Sequence, residues 1–159
     1  MHIPFADPTI VLLFKLSLAV VLGVLMGTER VAAGNKGAGM RTFAIVTLGA
    51  CLFVLTSQIV TLQYLGISSF DPMHMAAAIV TGIGFLGAGL IIMRDDHLRG
   101  LTTAAALWTA AAVGVAVGFG LYAIAIFSTI LVLFIFTGLW FFEEWLRKRL
   151  ENWDSRNEK

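Results

Sequence analysis

Five long apolar runs dominate the sequence, over residues 9–27, 42–65, 72–93, 102–118 and 121–142. A helix needs roughly 20 mostly apolar residues to cross about 30 Å of hydrocarbon. Transmembrane strands are only about 10 residues long and alternate in polarity, so these continuous runs read as helices. Composition agrees: 58% of the 159 residues are hydrophobic and 13% charged, whereas soluble domains carry about a quarter charged residues. A chain this small leaves much of its surface exposed on folding, so the surroundings that suit it are lipid. The expected fold is all-α: a polytopic membrane protein with about five transmembrane helices over 1–142. A short amphipathic, cytoplasmic C-terminal helix follows over 143–159.

Several classes are excluded. The formal charge of +1 lacks the basic surplus of a nucleic-acid binder. The single cysteine, Cys51, forbids an internal disulfide and a thiolate zinc cluster. Gly82-Ile83-Gly84-Phe85-Leu86-Gly87 matches a dinucleotide fingerprint in letters only, because that motif must follow a strand and open a helix. No Ser, Cys or Lys has a base near it in sequence, so no enzyme and no cofactor are expected.

The basic residues give an orientation. Arg30, Lys36 and Arg41 lie between the first two runs, and Arg94 and Arg99 between the third and fourth. Arg147, Lys148, Arg149, Arg156 and Lys159 lie after the fifth. Ten of the eleven Lys and Arg thus fall on one side; the exception, Lys15, is inside the first run. The positive-inside rule places the N-terminus outside and the C-terminus in the cytoplasm. Met1 to Pro8 contains no Lys or Arg, unlike the n-region of a cleaved signal, so the first run is expected to be retained.

Small residues mark helix contacts in lipid, where close backbone approach replaces the hydrophobic drive. Ala19, Gly23 and Gly27 repeat at i+4 in the first helix, and Ala106, Ala110, Gly114 and Gly118 in the fourth. The third carries Gly82, Gly84, Gly87 and Gly89. Helices one, three and four are therefore the expected packed core; the glycines of the third are read first as allowing close packing, and alternatively as lining a crevice or hinge. Phe127, Leu131, Phe134 and Ile135 of the fifth are expected to face lipid.

Polar residues at the helix ends have local readings. Asp71 is a natural N-cap before Pro72, and Thr102 is expected to cap the fourth helix. Lys15 shares the i+4 line of Ala19, Gly23 and Gly27, and so either faces the bundle or snorkels to the outer headgroups. Arg30, Arg41, Arg94 and Arg99 make a basic rim with one carboxylate, Glu29, in it, read as orientation and contact with anionic lipid, or else as a charged latch or a binding site for an anionic partner. Asp95-Asp96-His97 offers hard-metal donors, but any acidic loop does so, and a solvated loop is favoured. The tail carries Phe142, Trp145, Leu146, Leu150 and Trp153 at helical spacing, as in a helix settling on a membrane surface.

Three stretches together resemble the MgtC/SapB family of bacterial inner-membrane proteins. The first is Leu22-Gly23-Val24-Leu25-Met26-Gly27-Thr28-Glu29-Arg30 with Gly39-Met40-Arg41-Thr42. The second is Asp71-Pro72 leading to Val80-Thr81-Gly82-Ile83-Gly84-Phe85-Leu86-Gly87-Ala88-Gly89. The third is Arg94 with Arg99-Gly100-Leu101-Thr102-Thr103-Ala104-Ala105 through Trp108. The resemblance implies a role in magnesium limitation, acid stress or intracellular survival (virulence). For some members it implies restraint of the membrane part of F-type ATP synthase. The matching positions are Glu29, Arg30, Arg41, Thr42, Asp71, Arg94, Arg99, Thr103 and Trp108. His74 and Ala78 depart from the family's usual arginine and glutamine there, and the ACT-like C-terminal domain of longer members has no counterpart.

The expected function is thus a non-enzymatic membrane regulator acting on a membrane protein partner. The alternative is an oligomeric cation transporter or channel subunit for Mg2+. In that case Lys15, Asp71 and Glu29 carry the charge work, and Asp71 and Glu29 are the candidate metal ligands.

Overall fold

The computed structural model describes residues 7–32, 38–63, 71–94 and 97–157. Five helices account for most of them: α1 (Pro8–Ala32), α2 (Met40–Gln63), α3 (Pro72–Leu90), α4 (Leu101–Gly118) and α5 (Tyr122–Asn157). All five are long and apolar enough to cross a membrane, and the chain is an all-α, multi-pass membrane protein. The apolar tail positions extend α5 without a break, because nothing between Tyr122 and Asn157 stops a helix.

α4 lies at the centre, touching each of the other four helices. α1 and α2 run antiparallel, and α2 and α4 parallel. Thr47 of α2, fully buried, marks the crossing. A Cβ on Gly23 of α1 would strike the Thr47 hydroxyl and come within 2.8 Å of the Phe43 carbonyl oxygen. From the other side a Cβ on Gly114 of α4 would strike the Thr47 carbonyl oxygen and come within 2.9 Å of Ala50 Cβ. Two glycines thus let three backbones approach one threonine, whose Oγ1 donates to the carbonyls of Phe43 and Ala44 in its own helix. Above and below it, Met26, Phe43, Cys51, Val54, Val113 and Val117 fill the core.

The core therefore differs from expectation. α2, not α3, is the third member of the packed set. α3 rests mainly on α4, with Gly87 facing Ala104 at 3.5 Å, and Gly82, Gly84 and Gly89 meet nothing within 4 Å. Glycine spacing shows that a helix can be approached closely; it does not show which helix approaches. On α5, Phe127, Leu131, Phe134 and Ile135 are exposed, as a face turned to lipid would be.

Two junctions depart from the sequence reading. The third apolar run ends as a helix at Leu90, not Met93: Ile91 is extended and β1 (Ile92–Arg94) pairs antiparallel with β2 (His97–Arg99). The N-cap of α4 is Gly100, at φ +88° and without a side-chain cap, so Thr102 lies inside the first turn. Only a residue without Cβ fits there, since a Cβ would strike the Leu90 carbonyl oxygen. At the other end of α4, Gly120 takes φ +79° and the Leu121 N–H donates back to Ala116 O, the six-to-one closure of a Schellman turn.

Candidate functional sites

Three features carry chemistry. The first is at the end of the bundle where α1 and α3 finish and α2 and α4 begin. Gly27 of α1 lies against the backbone of Met40 there, bringing Arg30 to the start of α2. Arg30 is 5% exposed. Its guanidinium lies 4.6 Å from the centre of the Phe136 ring of α5, a cation–π contact. The face of the guanidinium is thereby covered while its edge is not satisfied: Nε and Nη2 are buried without a hydrogen-bond partner, as is Oε2 of the neighbouring Glu29. Sequence reasoning put Arg30 on a basic rim in contact with lipid headgroups or a partner. The burial arises from Phe136, which has no signal linking it to Arg30 in the sequence.

Arg41, Thr42 and Arg99 are exposed, Thr103 is buried against the bundle, and Trp108 is half exposed on α4. Arg94 pairs with His97 across the hairpin through its backbone, and its side chain lies outside the described residues. So do Lys36, Asp95 and Asp96. The side chain of Trp153 is likewise outside them.

The second feature is at the opposite end. Lys15 faces the bundle: its Nζ donates to Gly118 O at 2.9 Å. The last carbonyls of a helix lack intrahelical donors and carry its negative dipole end, so the ammonium closes α4 where water is scarce. Asp71 is spent in the same way. Its Oδ1 accepts from the Met73 N–H at 2.8 Å, making it the expected N-cap of α3. Among the described residues no hydrogen bond or ion pair joins Lys15 to Asp71, and no three His, Cys, Asp or Glu gather as metal ligands. Glu29 is at the other end of α1, so the three charges named for ion transport do not converge.

The third feature is the α2–α3 face. The two helices diverge and leave an open apolar groove of about 450 Å³ between Ile45, Gly49 and Phe53 on one wall and Ala78, Gly82 and Leu86 on the other. Gly49, like Gly82, meets nothing within 4 Å. Beside the groove stands Phe85, 81% exposed. Ala78, where the family resemblance implies a glutamine, lines the groove, and His74 is exposed one turn nearer the start of α3. The α2 wall was missed from sequence because Gly49 is a single glycine in an otherwise unmarked run.

Comparison with known proteins gives a consistent picture. A model described as the MgtC family matches residues 16–145. Protein MgtC of Salmonella typhimurium is 42% identical over 121 residues, covering 76% of this chain and 49% of MgtC. Protein SrpB of Synechococcus elongatus is 35% identical over 162 residues, covering 90% and 85%. A protein of Escherichia coli named "Putative magnesium transporter YhiD" is 39% identical over 128 residues, covering 77% and 58%. The chain spans about half the length of MgtC and under two-thirds of YhiD. No solved structure matches it.

Proposed function

The chain belongs to the MgtC family, and on that premise we propose that it is a regulator working through a membrane protein partner, in processes tied to magnesium limitation or acid stress. One observation carries the reading: α3 places Gly82, Gly89 and Phe85 on a face that its own bundle leaves uncovered. Lipid tails gain nothing from glycine, whereas a second helix gains close backbone approach. A groove with glycine on both walls supports a helical partner more than an acyl chain. The membrane part of F-type ATP synthase, implied by the family resemblance, is the first partner to test. In this reading the protein acts without chemistry of its own, in the bacterial inner membrane, and the charge bias supports an outside N-terminus and a cytoplasmic C-terminus.

The test is a photo-crosslinking amino acid at Phe85, compared with one at Phe134 on the lipid face of α5. The Phe85 probe is expected to capture a discrete membrane protein and the Phe134 probe lipid alone. If both positions yield only lipid, the reading fails.

The name of the E. coli relative favours a second reading, an oligomeric Mg2+ transporter or channel subunit. Liposomes holding the purified protein test it directly. Flux of magnesium, sodium or protons above that of empty liposomes supports transport, and background flux for all three removes it.

A further inference from the structure

We propose that Arg30 and Glu29 form a binding site for a phosphoryl group that carries a hydrogen-bond donor, at the end of the bundle where α1 finishes. The site is separate from the α3 face and does not depend on the reading given to it.

Nε and Nη2 of a guanidinium point the same way and form the side-on fork that grips two oxygens of one carboxylate or phosphate. In Arg30 both nitrogens are buried with no acceptor. The Phe136 ring covers the face of the group but accepts nothing from that edge. A buried charge lacking partners is costly, and ionisable groups at membrane depth usually mark a site. The neighbouring Glu29 carboxylate balances the charge but makes no hydrogen bond to that edge, and its Oε2 is itself buried and unpartnered. Two donors and one acceptor are therefore left open on adjacent residues.

A bare oxyanion would satisfy the fork and be repelled by Glu29. A carboxylate ligand has the same defect. A phosphoryl group with its own donor satisfies both residues: its oxygens accept from Nε and Nη2, and its hydroxyl, ammonium or protonated oxygen donates to Glu29 Oε2. The surrounding field favours it. The N-terminal ends of α2 and α4 lie at this end of the bundle with Arg41 and Arg99, and helix N-termini attract anions. Arg30 is two residues from the end of α1, near one end of a helix long enough to cross the hydrocarbon. Its long side chain can swing the fork outward to reach one.

A phospholipid headgroup and free phosphate share this chemistry, and the experiment separates them. The full chain is purified in mild detergent. Native mass spectrometry then measures retention of phosphatidylglycerol and of phosphatidylmethanol, which has the same charge and a capped headgroup. Thermal stability is followed separately with inorganic phosphate. Wild type is expected to retain phosphatidylglycerol at least tenfold better than R30K, which keeps the charge but loses the fork. Wild type alone is expected to prefer phosphatidylglycerol over phosphatidylmethanol several-fold, a comparison that stands even if R30K does not fold. Stabilisation of wild type by inorganic phosphate without lipid preference supports free phosphate as the source. Equal retention of both lipids by wild type, with no response to phosphate, overturns the proposal.

Discussion

Gly114→Ala and Gly84→Ala are the same chemical change on two helices of one bundle, and the structure gives them opposite signs. At Gly114 the new methyl would meet the Thr47 carbonyl oxygen, Thr47 C at 3.0 Å and Ala50 Cβ at 2.9 Å. The first two belong to backbone, so no rotamer change relieves them; α2 and α4 must part. Overpacking a core costs about 1–3 kcal/mol, and a backbone obstruction belongs at the upper end. The better helix propensity of alanine returns roughly 0.8–1 kcal/mol, leaving a net loss of about 2 kcal/mol. At Gly84 the methyl meets nothing within 4 Å, and only the propensity gain of about 1 kcal/mol remains. The two variants should differ by roughly 3 kcal/mol, or on the order of 10 °C in melting temperature for a chain of this size. Fluorescence-detected size-exclusion after heating in one detergent reads both. Equal melting temperatures, or a Gly84→Ala loss matching that of Gly114→Ala, would refute the helix arrangement on which the reasoning rests.

Other expectations follow from the helix ends. Lys15→Met removes the donor to Gly118 O and should cost about 1–2 kcal/mol, read by SDS titration of the far-UV circular dichroism; an unchanged midpoint would return Lys15 to the headgroups. Asp71→Ala should lose about 1 kcal/mol of cap energy and Asp71→Asn much less, seen as faster hydrogen exchange at Met73 and His74 in the alanine variant only. Gly100→Ala, forced to φ +88° against Leu90 O, should destabilise by about 1–3 kcal/mol, again by melting temperature. In a Cys51→Ala background, Met73→Cys should react with an impermeant maleimide in intact cells and Leu98→Cys only after lysis. The reverse pattern would invert the proposed orientation.

The sequence made the helices legible and their partners much less so. Lipid demands about 20 apolar residues per crossing, which fixes existence and approximate bounds from composition alone. Contact choice has no such rule. Four glycines in α3 looked more like an interface than the single Gly49 and the polar Thr47 of α2, yet Thr47 is the residue that Gly23 and Gly114 clasp. The hairpin after Leu90 was hidden because Ile91, Ile92 and Met93 continue an apolar pattern that suits a helix or a strand equally. Asp71 and Lys15 were readable, since each acts through its own helix end or along one i+4 line. Arg30 was not: its burial depends on Phe136, more than a hundred positions away, and only the fold brings the two together.

The length of α5 has a consequence for how the molecule stands. Its 36 residues make a rod of about 54 Å at 1.5 Å per residue, against a hydrocarbon slab of about 30 Å. The helix is continuous from Tyr122 to Asn157, about 24 Å longer than that slab. The rod either projects as a mast or leans as one piece. The Phe14–Tyr122 contact with α1 anchors one end of this helix, and Glu144, with its ion pair to Lys148, stands about 33 Å further along the axis.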